Sequence, residues 1–274
     1  RNNKQIFFLN KKAIPSGLNI FKTKLKKKAK LRTRTKYNKI YKNYKPTSDC
    51  SILKDYNKYY LLIPKTRDTE YIEPKQNIVA LDPGVRTFQT FYSPSGECGK
   101  LGDNIVKALE EKHKKIDLLK SLITKTTSKI TKLHMKKRCT SLITKMKNIV
   151  TDFQWKMCSF LVKQYKTIII PEFQTKQMSM KQKRNINRST TRNMLTLSHY
   201  KFLEKLKYKC IEYQRNLMIV NEAYTSKTCG NCGAIKQDLN GSKVYNCKNC
   251  GVRLDRDYNG ARNILLKTIT ENYK

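Results

Sequence analysis

The chain has 274 residues, enough for one large domain or two small ones. Its 59 Lys and Arg against 20 Asp and Glu give a formal charge of +39, which repels itself in a compact body and calls for a polyanionic partner, nucleic acid ahead of any small acidic substrate. No apolar run approaches the roughly 20 residues of a membrane span, and 38% apolar with 9% aromatic content excludes a disordered chain.

In chain order, Arg1-Asn2-Asn3-Lys4 opens without an initiator Met or a signal-peptide core, so a fragment of a longer chain is expected. Residues 1–48 carry sixteen Lys or Arg and no acid. Within them Lys22 to Arg34 reads KTKLKKKAKLRTR, followed by Tyr37, Tyr41 and Tyr44. That pattern suits either a solvated basic tail or localisation signal, or a phosphate-gripping surface with aromatic faces for stacking. The β-rich runs QIFFL (Gln5 to Leu9) and CSILKDYNKYYLLIP (Cys50 to Pro64) flank it, which predicts a small β module with a basic excursion.

Asn77 to Leu81 predicts a strand that ends at Asp82-Pro83-Gly84. Thr87 to Tyr92 predicts a second, closed by the turn Ser93 to Gly96. From Asn104 to Tyr165 the period becomes 3.6, with one stripe from Val106 through Leu109, His113, Ile116 and Leu119 to Ile123. A second stripe runs from Leu142 through Met146, Ile149, Phe153 and Met157 to Phe160, so two long helices are expected with a break near Thr124 to Lys129. Thr167 to Ile170 reads as a buried strand before Pro171-Glu172-Phe173, and Gln174 to Arg192 as a mobile basic loop whose Met178 and Met180 are candidates to line a nucleic-acid channel. Ser198 to Tyr213 predicts a helix with Phe202, Leu203, Leu206, Cys210 and Ile211 inward. Leu217 to Val220 then predicts a strand, and Tyr258 to Ile269 a last helix. Strands interleaved with helices predict an α/β layer architecture. His113, His134 and His199 have no partner at ligand spacing and read as structural, and Trp155 as packed on its helix.

Nine Cys is an odd count, and four of them form Cys229-Gly-Asn-Cys232 and Cys247-Lys-Asn-Cys250, which suits a reducing compartment and a metal better than disulfides. Two residues between ligands let one tight turn aim both sulfurs at one ion. Fourteen residues between the pairs leave room for a β-hairpin through Asn240-Gly241. Four thiolates leave no open position, so Zn²⁺ there is expected to be structural. Acids are scarce elsewhere, yet Asp82, Glu172 and Glu222 each follow an apolar strand, and Asp255 and Asp257 precede the last helix. Carboxylates at the carboxyl ends of strands in one sheet converge on one edge and can share divalent cations. Each singly also suits a turn or a helix cap, so spacing alone suggests, without deciding, a nuclease with two Mg²⁺ about 4 Å apart.

IVALDPGVRTFQTFYSPSG, YTSKTCGNCG and CKNCGVRLDRDYNGARNILL, in that order, resemble the nuclease half of the transposon-encoded TnpB family. The DPGVRTF and YTSKTC forms most resemble its Fanzor branch, and DCSILKDYNKYYLLIP resembles the family's β-barrel wedge segment. The resemblance implies an α/β, RNase H-like (RuvC) mixed sheet with helical insertions, an inserted zinc ribbon and a partial wedge. It implies the segments 1–75 (wedge), 76–225 (nuclease core), 226–251 (zinc ribbon) and 252–274 (C-terminal motif and helix). It also implies RNA-guided DNA cleavage with guide RNA and target DNA as partners, and neither a membrane nor a small-molecule substrate. Carried over by motif, Asp82, Glu222 and Asp257 hold Mg²⁺ and catalyse, with Glu172 and Asp255 as alternates, while Cys229, Cys232, Cys247 and Cys250 hold Zn²⁺. The resemblance favours Glu222: TnpB proteins place a Glu straight after this strand, where this chain has Pro171 with Glu172 one residue late and turned to the other face, and Fanzor proteins resemble this chain in using a Glu just before the YTSKTC motif. The family's helical recognition region is expected to be missing from this chain. The alternative, from another class, is a catalytically inactive nucleic-acid-binding remnant that keeps the ribbon.

Overall fold

A computed structural model describes residues 4–9, 47–55, 58–64, 66, 69, 71–173, 175–180, 186–237 and 242–272. The basic run from Lys22 to Arg34 with its following tyrosines, and the Asn240-Gly241 turn, lie outside them. The chain divides into two compact units, Arg1–Asp68 and Thr69–Lys274.

The first unit contains one antiparallel sheet, in which β1 (Lys4–Leu9) and β3 (Lys58–Leu62) both pair with β2 (Cys50–Asp55). Leu53 lies opposite Ile6 on one side and Tyr60 on the other, as β-branched and aromatic residues favour.

The second unit is built on a five-stranded mixed sheet of order β6-β5-β4-β7-β8. Its strands are β4 (Gln76–Pro83), β5 (Gln89–Tyr92), β6 (Cys98–Leu101), β7 (Tyr165–Pro171) and β8 (Asn216–Val220). β4, β7 and β8 run parallel, β5 is antiparallel to β4, and β6 is antiparallel to β5, so β5 alone runs against the rest. The short strand β6 was not expected, because the turn at Ser93 to Gly96 looks like an ending while in fact it folds the chain back.

Alternation along the strands divides the core in two. Val79 and Leu81 of β4 and Ile168 and Ile170 of β7 enter the larger cluster. There they meet α1 (Asp103–Lys125), α2 (Lys129–Gln164) and α5 (His199–Glu212), through residues such as Leu109, Leu161 and Phe202. Truncating the fully buried Leu161 to Ala would cost about 2–5 kcal/mol. Ala80 and Ile169 face the other way, onto Ile264 and Leu265 of α6 (Arg256–Asn272). The predicted helix break falls at 126–128, where the Ser128 hydroxyl caps α2 by accepting from Thr131 N at 3.4 Å.

Two expectations fail. The stretch from Gln174 to Arg192 is not a loop throughout: it contains α3 (Thr175–Ser179) and the start of α4 (Arg188–Leu197). Asn187 caps α4, its side-chain oxygen accepting from Thr190 N at 2.7 Å, and Thr191, Asn193, Met194 and Leu197 are buried. Polar residues on the buried side of α4 hide its period from a hydrophobicity count. Ile211 is not inward but 72% exposed, one step off the face that buries Phe202, Leu206 and Cys210. Among the described residues no helix is long and apolar enough to cross a membrane.

Candidate active site

Because β4, β7 and β8 are parallel, their carboxyl ends share one edge of the sheet. Asp82, in the last turn of β4's alternation, has the parity of Ala80 and so continues the face that packs on α6. Glu222 has the parity of Met218 and Val220, which pack against the same cluster. Glu172 has the parity of Ile168 and Ile170 and continues the opposite face. Asp257 stands in the first turn of α6.

Asp82, Glu222 and Asp257 accordingly line one open cleft of about 880 Å³, with Arg86, Lys243, Arg256, Ser226 and Met178 also on its walls. The Asp82 carboxyl is pushed up to about 8, first by burial and then by the charges of Asp257 and Glu222, against the opposing pull of Arg256. Burial also raises Glu222. Glu172 is exposed and lines an adjoining hollow of about 490 Å³, which Glu222 and Met178 share. Asp255 lines neither and is occupied locally. Its Oδ1 accepts from Asp257 N at 2.9 Å and Tyr258 N at 3.3 Å, capping α6, and its Oδ2 meets Lys100 Nζ at 2.7 Å. Lys100 also stands 4.0 Å from Asp257.

Close approach of α6 completes the arrangement. A Cβ on Gly260 would lie 2.6 Å from Asp82 Oδ2, so only glycine lets the helix pass this carboxylate. Three residues spaced by four along α6 then hold the segment after β8. Lys267 Nζ donates to Asn221 O and Ala223 O at 3.1 and 3.2 Å, and Asn263 Nδ2 donates to Thr225 O and Thr228 O at 2.9 and 2.6 Å. Asn259 donates to Thr228 O and accepts from Gly230 N, both at 2.8 Å. Sequence reasoning missed these positioning residues, although polar residues at 259, 263 and 267 in a helix that also buries Ile264 and Leu265 were the available signal.

Gly230 begins the four-cysteine cluster. The Sγ atoms of Cys229 and Cys250 are 3.7 Å apart and those of Cys232 and Cys247 3.6 Å, all four lying within 4.8 Å of one another. A tetrahedral ion with metal–sulfur bonds of about 2.3 Å needs this spacing, so the donor set fits Zn²⁺. The knuckles support each other: Asn231 Nδ2 donates to Cys250 Sγ at 3.6 Å and Asn249 Nδ2 to Cys232 Sγ at 3.5 Å. The Asn249 bond is the leading reason the Cys232 thiol is lowered to about 6. β9 (Val244–Asn246) and β10 (Arg253–Asp255) pair across the second knuckle and lead into α6. At the carboxylate cleft, burial first and the charges of Asp257 and Glu222 second hold the Asp82 carboxyl at about 8, and a divalent cation there would offset both.

His199 is a core residue. It is buried between Phe88, at 4.4 Å between centroids, and Phe173, at 4.6 Å, and burial pushes its pKa down to about 4. Trp155 is not packed away but 36% exposed.

Residues 199–264 match the family model Cas12f1-like, TNB domain. The chain is 33% identical over 229 residues to protein A625R of Paramecium bursaria Chlorella virus 1, provisionally named a transposase, covering 82% of this chain and 51% of that protein. It is 32% identical over 224 residues to TnpB-like protein L79 of Acanthamoeba polyphaga mimivirus, covering 80% and 43%. This chain thus spans about half the length of these relatives. A shorter stretch of 86 residues is 31% identical to the CRISPR-associated endodeoxyribonuclease Cas12f1 of Sulfoacidibacillus thermotolerans, covering 31% of this chain and 20% of that one. Among solved structures, Cas12f1 in its complex with sgRNA and target DNA superposes with a TM-score of 0.51 at 17% identity, over 78% of this chain and 55% of that one, a likeness of fold.

Proposed function

This chain belongs to the TnpB family, and on that premise we propose that it is the nuclease half of an RNA-guided DNA endonuclease with guide RNA and target DNA as partners. The strand order, with β5 alone reversed, supports an RNase H-like, RuvC-type core. The observation that carries the reading is the convergence of Asp82, Glu222 and Asp257 on one cleft in a chain of charge +39. Acids so placed would repel a phosphodiester unless they served it through metal ions.

In this reading Asp82, Glu222 and Asp257 hold Mg²⁺, which when bound supplies an activated water and charge stabilisation for the leaving oxygen. The protein's own share is positioning. Gly260 seats the Asp82 carboxylate against α6, and the α6 asparagines fix the segment that begins at Glu222. Lys243 and Arg256 add cationic walls to the cleft, suited to orienting a phosphate oxygen. Sequence would be read by guide pairing, with the Lys-rich surfaces gripping backbone. Zn²⁺ on the four cysteines would be structural, anchoring through Gly230 and Thr228 the helix that carries Asp257.

The test is Mg²⁺-dependent cleavage of single-stranded and plasmid DNA with co-expressed guide RNA. Asp82→Ala and Glu222→Ala are expected to lose cleavage by two or more orders of magnitude while Glu172→Ala keeps it. Loss in Glu172→Ala with retention in Glu222→Ala would overturn the carboxylate assignment. Nucleic-acid binding without cleavage in the parent would favour the non-catalytic remnant.

A further inference from the structure

Trp155 is the chain's single tryptophan, and its indole stands 36% exposed on α2 while its neighbours Gln154 and Met157 take the inward positions. Tyr208 of α5, 51% exposed, meets it edge to face with centroids 6.1 Å apart and planes at 82°. Two ammonium groups flank the ring, Lys205 Nζ at 5.6 Å and Lys209 Nζ at 6.0 Å from its centroid. Each is tethered, Lys205 by Gln154 Oε1 and Lys209 by Glu212 Oε2 at 2.6 Å. The indole is therefore held by a ring and two fixed cations, and about a third of the residue's surface stays open to solvent. The two helices that carry it contain thirteen Lys and Arg against three acids, so the surroundings attract a polyanion.

This surface is separate from the carboxylate cleft, which neither Trp155 nor Tyr208 lines. α2 runs directly into the start of β7 and α5 leads to the start of β8, so the later turns of both helices lie toward the amino-terminal edge of the parallel strands. Asp82 is at the opposite, carboxyl edge. A strand to be cut must reach that edge, whereas a strand retained without being cut must stay clear of it.

We propose that Trp155 and Tyr208 form a stacking platform for an unpaired stretch of RNA. The inference rests on the guide-RNA reading above and gives that RNA a contact away from the cleft. A base has a π-face whatever its identity, so the contact is sequence-tolerant, and the Lys205 ammonium, whose partner Gln154 is uncharged, balances a neighbouring phosphate while Glu212 already neutralises Lys209.

The single tryptophan makes the test direct, because all indole fluorescence reports one site. Oligo(U), oligo(dT) and a blunt DNA duplex would be titrated without Mg²⁺ into the full chain, following Trp155 emission and, in parallel, anisotropy of the labelled strand. Expected are quenching by oligo(U) that saturates with binding, little quenching by duplex, and about tenfold weaker oligo(U) binding in Trp155→Ala and in Tyr208→Ala. Trp155→Phe should retain most of the affinity. Saturated oligo(U) binding with unchanged emission, or parental affinity in Trp155→Ala, would overturn the proposal. Tighter binding with quenching by oligo(dT) than by oligo(U) would overturn the RNA assignment and give the platform to a DNA strand. Both residues are exposed, and unchanged melting and zinc content would show that the variants remain folded. Cleavage with no stacking would sink this inference alone, and stacking with no cleavage would sink the nuclease reading alone.

Discussion

Gly260→Ala tests the site without removing a single functional group. In an ordinary helix interior this change stabilises by about 1 kcal/mol, because alanine loses less backbone freedom on folding. Here the new methyl would lie 2.6 Å from Asp82 Oδ2, and the next nearest atom, Asp82 Cγ, would be at 3.4 Å. The contact can be relieved only by moving the carboxylate several tenths of an ångström or by pushing α6 off β4. The Asp82 carboxyl is desolvated, and the negative charges of Asp257 and Glu222 oppose its turning toward them. The helix gain and the steric cost oppose each other, and the net change in stability is expected within about 1 kcal/mol of zero. Catalysis has no such compensation, since displacing a reacting group by about 1 Å costs on the order of a hundredfold. Calorimetric melting and Mg²⁺-dependent cleavage, measured on the same preparation, are expected to separate: near-parental Tm with cleavage down by ten- to a hundredfold. Parental cleavage in Gly260→Ala would refute the reasoning, because Asp82 would then not need the position in which the helix holds it.

His199, lowered to about 4 by burial against an ordinary 6.5, should make the fold acid-sensitive. The unfolded chain takes up this proton more readily, so stability is complete above pH 6.5 and falls as pH drops toward 4, by roughly 3 kcal/mol at most. Replacing the ring in His199→Phe is expected to flatten that part of the stability profile relative to the parent in urea titrations at pH 7, 5.5 and 4.5. Removing zinc with a chelator, or substituting Cys232→Ser, should lower Tm and loosen the start of α6 as read by amide exchange. Asn259→Ala, which leaves Gly230 N without its partner while Thr228 O keeps Asn263 Nδ2, should cost about 1–3 kcal/mol with the zinc still bound. An Asn259→Ala variant as stable as the parent would show that the ribbon does not depend on α6.

Whatever rests on near neighbours along the chain was legible in the residues alone. Two CxxC pairs are enough to define a four-thiolate site, because a tight turn must bring both sulfurs of each pair together. Apolar runs ended by acids marked β4, β7 and β8, and the 3.6 period marked α1 and α2. The residues also delimited the acids to be weighed, and they carried the resemblance through motifs whose order is fixed in the chain. Which acids line one cleft follows from contacts between distant segments. Glu172 and Glu222 both follow buried strands, yet parity continues Glu222 onto the face of α6 and Glu172 onto the face of α2 and α5. Asp255 and Asp257 are two residues apart, but one caps α6 and pairs with Lys100 while the other lines the cleft. The same holds for α4, whose buried side is partly polar, and for Asn259, Asn263 and Lys267, whose partners lie some thirty or more residues away. Period and spacing are properties of the local backbone. Which face of a sheet a helix covers, and which carboxylates thereby share one desolvated cleft, depends on contacts between segments far apart in the chain, and no local pattern encodes them.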